Sequence, residues 1–182
     1  MGYKRIEENS EVIDVLYAII LGSRTPHEIS KKLKQNGTTV RLKLMFLRNV
    51  GVVKKYKWNY EPNWTEICKR MLLAVREVLA NYKIVAKDLK PRELKKLQQI
   101  SKKTNDYFSE SLLIGILKSY GIAHFRGYQK LSMKEMAQMF LASLPNSDDK
   151  GLVKIDKKLL ELKEILQKIP SREKFILDNL RK

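Results

Sequence analysis

The sequence predicts a mainly α-helical protein with one small β-ribbon near its N-terminus and an all-α region after the ribbon. Three observations support this fold class. Apolar residues recur at helical spacing along most of the chain, capping motifs precede several of these segments, and one short run, 52–60, is rich in β-branched and aromatic residues. Because 43% of the 182 residues are hydrophobic, the chain can bury one large core or two small ones.

Two helices are predicted in the first 36 residues. The first begins near Ser10, ends at Gly22 and carries apolar residues at helical spacing, namely Val12, Val15, Leu16, Ile19 and Ile20. The second helix opens with Thr25-Pro26-His27-Glu28, a capping box with proline at the first helical position. Asn36-Gly37 is expected to end it, since both residues tolerate positive φ.

A third helix is expected to run from a cap at Thr38 or Thr39 to about Asn49. Its inward side is predicted to hold apolar residues at positions i, i+4 and i+7, which are Val40, Leu44 and Leu47. A rotation of about 100° per residue puts a second set on the opposite side, made of Thr38, Arg41, Leu42, Met45, Arg48 and Asn49.

After Gly51, the run 52–60 is predicted as a basic β-ribbon that ends at 61–63. It has no obvious hairpin turn, so we expect the ribbon to be reduced to a single pairing. Tyr56, Trp58 and Tyr60 alternate along it, which predicts one aromatic face. Packing of that face on the first helix is the favoured interpretation, and base stacking is the alternative.

The order of three helices, glycine and basic ribbon resembles the winged helix-turn-helix regulators related to the multiple-antibiotic-resistance and arsenic-resistance repressors. The segment Leu47-Arg48-Asn49-Val50-Gly51-Val52-Val53 is similar to their usual passage from recognition helix to wing. The resemblance covers about the first third of the chain. It implies that the third helix enters the major groove of double-stranded DNA while the wing touches the adjacent backbone. It also implies a homodimer, since the helix after the wing often supplies the dimer interface in these repressors.

Charge in the same region agrees with a nucleic-acid partner. The net charge is +17, and the segment from Arg24 to Lys57 contains ten lysines and arginines but only one acid, Glu28. Arg41 could contact a guanine edge in a bidentate manner, and Lys54, Lys55 and Lys57 could hold phosphates. The full set of candidate nucleic-acid-binding residues is Thr38, Thr39, Arg41, Leu42, Lys43, Arg48, Lys54, Lys55 and Lys57. The alternative is a solvated basic face that contacts protein.

The sequence predicts two domains, residues 1–64 for nucleic-acid binding and residues 65–182 for dimerisation or partner binding, with a possible linker at 145–151. Helices are expected from about 63 to 82, from Pro91 onward, from 109 to 120 with an end at Gly121, and from Ser132 to 144. A short a/d seam follows over 155–169, which would pair with a two-fold mate or lie on the preceding helices. The basic block 83–103 either extends the nucleic-acid footprint or is a solvated helix face, and the sequence does not separate the two.

Catalytic and cofactor motifs are not recognised in the sequence. It has no phosphate-cradling glycine loop, no zinc motif and no nucleophile with a base nearby, so we expect a protein that is not an enzyme and has no cofactor and no metal site. Cys68 is expected to be a small core residue and His124 a structural one. Without a signal peptide or a membrane-spanning stretch, we expect no membrane partner and a cytoplasmic, nucleoid-associated location.

Two function hypotheses follow. The first is a sequence-specific transcriptional regulator that binds double-stranded DNA, more readily than RNA, as a homodimer with half-sites about one helical turn apart. The second is an adaptor or architectural protein of replication, chromatin or the ribosome, with non-specific DNA or RNA affinity. The target sequence and any small-molecule effector are not indicated by the sequence.

Overall fold

The computed structural model describes residues 5–85, 88–127, 130–144 and 157–169. The expected fold class is confirmed, because the chain is mainly helical and has a two-stranded antiparallel sheet after three N-terminal helices. The elements of the N-terminal part are α1 (Ile13–Ile20), α2 (Pro26–Leu33), α3 (Gly37–Asn49), β1 (Val53–Tyr56) and β2 (Asn59–Pro62). The helices that follow are α4 (Trp64–Val85), α5 (Pro91–Lys102), α6 (Glu110–Phe125), α7 (Met133–Ser143) and α8 (Lys157–Gln167).

The predicted capping box of α2 is confirmed. Thr25 Oγ1 accepts a hydrogen bond from Glu28 N at 3.2 Å, and Glu28 Oε2 accepts one from Thr25 N at 3.3 Å and one from Arg24 N at 2.7 Å. These bonds satisfy donors at the start of the helix that have no partner within it. They also hold the pKa of the Glu28 carboxyl below its ordinary value.

The junction between α2 and α3 differs from the prediction. Lys34, not the Asn36-Gly37 pair, ends α2 in the left-handed conformation at φ 52°. Asn36 is the N-cap of α3, since its Oδ1 accepts a hydrogen bond from Thr38 N at 2.8 Å. The expected cap at Thr38 or Thr39 is therefore wrong by two or three residues, because the asparagine side chain already satisfies the first free amide.

The chain divides into two compact units. Unit 1 comprises Met1–Arg70 and Leu113–Met133, and unit 2 comprises Met71–Leu112 and Lys134–Lys182. Most of α6 belongs to unit 1, so each unit is made of two separate stretches of the chain. The predicted linker at 145–151 and the start of the predicted seam at 155 lie outside the described residues.

Gly121 shows why α6 belongs to unit 1. It was expected to end the helix, but it lies inside α6 and is buried, and a Cβ added to it would come within 3.1 Å of Tyr17 Cδ1. The glycine therefore allows α6 to approach α1 closely, and it does not stop the helix. Tyr17 is itself fully enclosed, as is all of α1 from Ile13 to Ile20.

In unit 2, the predicted a/d seam lies on the chain's own helices. Leu159, Leu162 and Leu166 of α8 are buried, and α8 contacts α5. Two ion pairs join these helices at their edges, Lys96 to Glu161 at 3.3 Å and Lys168 to Glu93. The second of them keeps the pKa of Glu93 low and raises that of Lys168.

Candidate nucleic-acid interface

The two sides of α3 differ as the sequence predicts. Val40, Leu44 and Leu47 are fully buried and hold the helix on unit 1. The predicted outward set is exposed in full, and it consists of Thr38, Arg41, Leu42, Met45, Arg48 and Asn49. This set is not purely polar, because Leu42 is 59% exposed and Met45 is 52% exposed. The outward side of α3 therefore offers two guanidinium groups and two apolar side chains to a partner.

Lys43 points away from this outward side. Its Nζ donates to both carboxylate oxygens of Asp14, at 3.1 Å and 3.3 Å, and to Gln35 Oε1 at 3.1 Å. Only 17% of its side chain is exposed. Lys43 thus forms an ion pair with Asp14 of α1, and its ammonium group is not on the exposed side of α3.

Asp14 is the centre of this internal cluster. Besides Lys43, its Oδ2 accepts hydrogen bonds from Gln35 Nε2 at 2.7 Å and from Lys130 Nζ at 3.2 Å. Burial alone would raise the pKa of the Asp14 carboxyl, but the hydrogen bonds from Lys43 and Gln35 and the charge of Lys130 outweigh burial and hold the pKa below its ordinary value. The ionised carboxylate thus fixes α3 on α1 from the side opposite to the exposed arginines.

Thr39 is exposed but lies on a different side of α3 from Arg41 and Arg48. Two residues before Arg41, it is rotated by about 160° around the helix axis from that arginine. A partner that contacts Arg41 and Arg48 together would not touch Thr39 from the same side. Of the candidates on α3, the structure brings together Thr38, Arg41, Leu42 and Arg48.

The β-ribbon is a hairpin with a two-residue turn, Lys57-Trp58. The expected single pairing is confirmed, with Val53 opposite Pro62 and Tyr56 opposite Asn59. Sequence patterning did not locate the turn, because such turns favour Asn-Gly or Asp-Gly, whereas here Lys57 takes the positive φ of 53°. The predicted strand end at 61–63 is also shifted, since Glu61 and Pro62 belong to β2.

Hydrogen bonds join β2 and the residue after it to the loops before α2 and before β1. Tyr60 N donates to Arg24 O at 2.7 Å, and Asn63 Nδ2 donates to Gly51 O at 2.7 Å. Val52 and Val53 are buried. All three candidate lysines of the wing are exposed, Lys54, Lys55 and Lys57.

The expected aromatic face on the first helix is wrong for two of its three members. The turn reverses the chain between them, so Tyr56 and Tyr60 lie on opposite faces of the hairpin. Tyr60 is half-buried and has Lys55 Nζ at 5.7 Å from its ring centroid. Tyr56 is 69% exposed and Trp58, in the turn, is 81% exposed.

A groove of about 430 Å³ runs beside the outward side of α3. The groove is lined by residues of α3 and the residue after it, namely Leu42, Met45, Phe46, Asn49 and Val50. Arg5, Ile6 and Arg70 complete the lining. Sequence analysis did not associate Arg70 with α3. Arg70 is held by Glu66 at 2.7 Å and by Glu7 at 3.3 Å; burial would lower its pKa, but these two acids raise it.

Cys68 and His124, which were expected to be structural residues, pack against other side chains. Cys68 is buried. His124 packs between Tyr17 and Phe125, at ring-centroid distances of 5.5 Å and 5.2 Å, and burial lowers the pKa of its imidazole, with Asp14 opposing and Lys130 adding to the effect. Within the described ranges, no three His, Cys, Asp or Glu side chains are grouped closely enough to hold a metal ion.

Comparisons of the chain with protein-family models, with curated proteins and with solved structures found no match. No helix within the described residues combines the length and apolar character needed to cross a bilayer.

Proposed function

We propose that this protein binds double-stranded DNA in a sequence-specific manner, with α3 in the major groove and the β1–β2 hairpin on the neighbouring backbone. The observation that carries the proposal is the exposed pair Arg41 and Arg48 on α3. Neither guanidinium forms an ion pair with the residues that the structure describes, whereas Lys43 on the same helix does. Basic side chains left to solvent on one face of a well-anchored helix suit a polyanionic partner.

The distance between the two arginines along α3 is close to a whole number of base-pair steps. Arg41 and Arg48 are seven residues apart, so they lie on the same side of α3 about 10.5 Å apart along its axis. That distance corresponds to about three base-pair steps of roughly 3.4 Å. Each arginine can therefore contact a different guanine through its O6 and N7 atoms.

The apolar side chains between the arginines suit thymine. Met45 lies one turn after Arg41, and Leu42 lies beside it, both exposed. Contact with the C5-methyl group of thymine would bury these side chains and distinguish A·T from G·C pairs. We therefore propose a recognition element in which guanines flank one or more thymines.

The wing supplies contacts that do not depend on sequence. Lys54, Lys55 and Lys57 are exposed on a hairpin whose strands contact α1 and α3. Lysines in such a position neutralise phosphates and set the orientation of α3 in the groove.

The proposal includes a homodimer, but not through the apolar side of α4. Ile67, Met71, Val75, Val78 and Leu79 on that side are all buried within the single chain. A dimer would have to use another surface, and it would bind two half-sites about one helical turn apart. Sedimentation equilibrium tests this part: a monomer at the concentrations that saturate DNA leaves a single half-site as the binding unit.

Selection from a pool of randomised duplex DNA tests the proposal as a whole. We expect one enriched motif with guanine and thymine at fixed spacing. Arg41→Ala should lose discrimination at one guanine by roughly 1–3 kcal/mol and leave the other positions unchanged. Arg92→Ala, which removes an exposed arginine from α5, serves as the control and should select the wild-type motif.

A second candidate function is an adaptor that binds nucleic acid without sequence preference and holds a protein on the same surface. The observation that favours it is the groove beside α3, whose apolar lining includes Ile6 and Phe46 as well as Leu42 and Met45. Selection that enriches no motif, although duplex DNA is bound, would favour this candidate over the first.

A further inference from the structure

The tip of the hairpin holds the two most exposed large hydrophobic side chains among the described residues, Trp58 and Tyr56. A solvent-exposed indole does not gain the free energy that burial of its large apolar area would give. Its position at the tip of a hairpin therefore suggests that a partner covers it. Tyr56 pairs with Asn59 at the end of the ladder, and Trp58 lies in the turn that follows it. Both residues thus lie at the end of the wing, next to or within its turn.

The hairpin geometry keeps these rings away from the core. Tyr56 is three residues beyond the buried Val53, which is about 10 Å at the rise of an extended strand. The turn is also strained for its sequence, because Lys57 adopts the positive φ of 53° that glycine or asparagine usually takes. Hairpin stability alone does not explain a lysine and a tryptophan at the two turn positions. The positive φ of Lys57 is an outlier for a lysine, and such outliers often mark functional sites.

The surroundings of the rings define the chemistry of the ligand. Lys54, Lys55 and Lys57 are all exposed within four residues, and Lys57 Nζ lies 5.7 Å from the ring centroid of Tyr56. The tip therefore combines several cations with flat apolar surfaces. A nucleic-acid strand matches both features, since its phosphates are anionic and its bases have flat faces that stack on aromatic side chains.

The bases must be accessible for stacking, which selects among DNA structures. In an intact duplex each base face is covered by the neighbouring pair, and opening a step costs a few kcal/mol. An unpaired base beside a duplex end or bubble offers its face without that cost. Hence we propose that the wing tip is a stacking site for unpaired DNA bases, with Trp58 as the principal platform and Tyr56 beside it, so that the protein prefers duplex DNA next to a single-stranded segment.

This site uses other residues than the α3 surface, and its occupant differs from the duplex proposed for α3. The experiment compares a blunt duplex with the same duplex carrying a single-stranded overhang that contains 2-aminopurine next to the junction. Wild type should bind the overhang duplex about tenfold more tightly and quench the 2-aminopurine fluorescence by stacking. Trp58→Ala should remove both effects and leave affinity for the blunt duplex within about twofold.

Two further variants make the result interpretable. Trp58→Phe keeps an aromatic ring and should retain most of the preference and the quenching, which distinguishes stacking from a change in hairpin shape. Leu160→Ala removes an exposed apolar side chain in unit 2 and should behave as wild type. Circular dichroism and thermal melting of Trp58→Ala should match wild type, because the exposed indole contributes little packing.

The proposal is overturned if wild type binds both duplexes equally, or if Trp58→Ala keeps the preference for the overhang. It is also overturned if Trp58→Ala weakens the blunt and the overhang duplex to the same extent, since Trp58 would then act as a wedge in intact DNA. The fate of the α3 proposal is measured independently, by Arg41→Ala and Arg48→Ala on the blunt duplex. Loss of stacking with normal blunt-duplex binding would refute the wing-tip proposal alone.

Discussion

Lys43 Nζ donates to Asp14 Oδ2 at 3.1 Å, and this contact between α3 and α1 turns a basic residue of the proposed recognition helix inward. The Asp14 side chain is only 5% exposed, and Gln35 and Lys130 also donate to it. The cluster explains how α3 can present arginines on one side and still be fixed by a charge on the other.

Removing one member of this cluster should destabilise the fold. Lys43→Ala leaves Asp14 buried with two of its three side-chain donors, and we expect a loss of about 1–3 kcal/mol in the free energy of unfolding, below the cost of a wholly unpaired buried charge. Urea denaturation measures this loss. Lys54→Ala, which removes an exposed lysine, is the control and should stay within about 0.5 kcal/mol of wild type. A Lys43→Ala protein as stable as wild type would contradict the structural role of the contact.

The same carboxylate predicts how stability depends on pH. Since the pKa of Asp14 is lower in the folded protein than its ordinary value, the unfolded chain takes up the proton first as pH falls. The stability from Asp14 is therefore fully present above about pH 4, the region of an unperturbed aspartate pKa, and is lost as pH falls through the folded value. Unfolding free energies of wild type and Asp14→Asn should differ most above this range and converge in acid. Parallel pH profiles for the two proteins would be inconsistent with this assignment.

Two glycines of α6 should respond in opposite directions to alanine. Gly121→Ala brings a methyl group to 3.1 Å from Tyr17 Cδ1, and we expect a destabilisation of about 1–3 kcal/mol. Gly115 lies on the same helix with nothing within 4 Å of an added Cβ, so Gly115→Ala should stabilise the protein by about 0.5–1 kcal/mol. Thermal denaturation of both variants tests the close approach of α6 to α1. Equal shifts of the same sign would show that helix propensity alone governs both sites.

Lys57 offers a variant in which stability and binding should change in opposite directions. Lys57→Gly relieves the positive φ of 53°, and we expect a gain of about 0.5–1 kcal/mol in unfolding free energy. It also removes one phosphate contact, so the salt dependence of DNA binding should weaken by about one unit of slope. Lys54→Gly, on a strand residue, should lower both stability and slope. If Lys57→Gly is less stable than wild type, the turn is not strained.

Features set by neighbouring residues were predictable from the sequence. The capping box at Thr25 and Glu28 depends on four consecutive residues, and the exposed side of α3 depends on helical periodicity, so both were located correctly. Features that depend on a distant partner were not. The inward direction of Lys43 needs Asp14, which lies 29 positions earlier in the chain, and the place of Gly121 inside a helix needs Tyr17. The exposure of Trp58 follows from a turn that lacks the usual turn residues.

The central claim is that α3 and the wing bind duplex DNA, and a salt titration tests it most directly. Binding of wild type to duplex DNA, duplex RNA and single strands is compared with that of the triple variant Arg41→Ala, Lys54→Ala, Lys55→Ala. A second triple variant, Arg92→Ala, Lys95→Ala, Lys157→Ala, removes the same charge from exposed sites in unit 2. We predict tightest binding to duplex DNA, with affinity and salt slope falling in the first variant, by about one unit per phosphate contact removed, and little change in the second. Duplex RNA bound as tightly as DNA, or equal losses in the two triple variants, would contradict the claim.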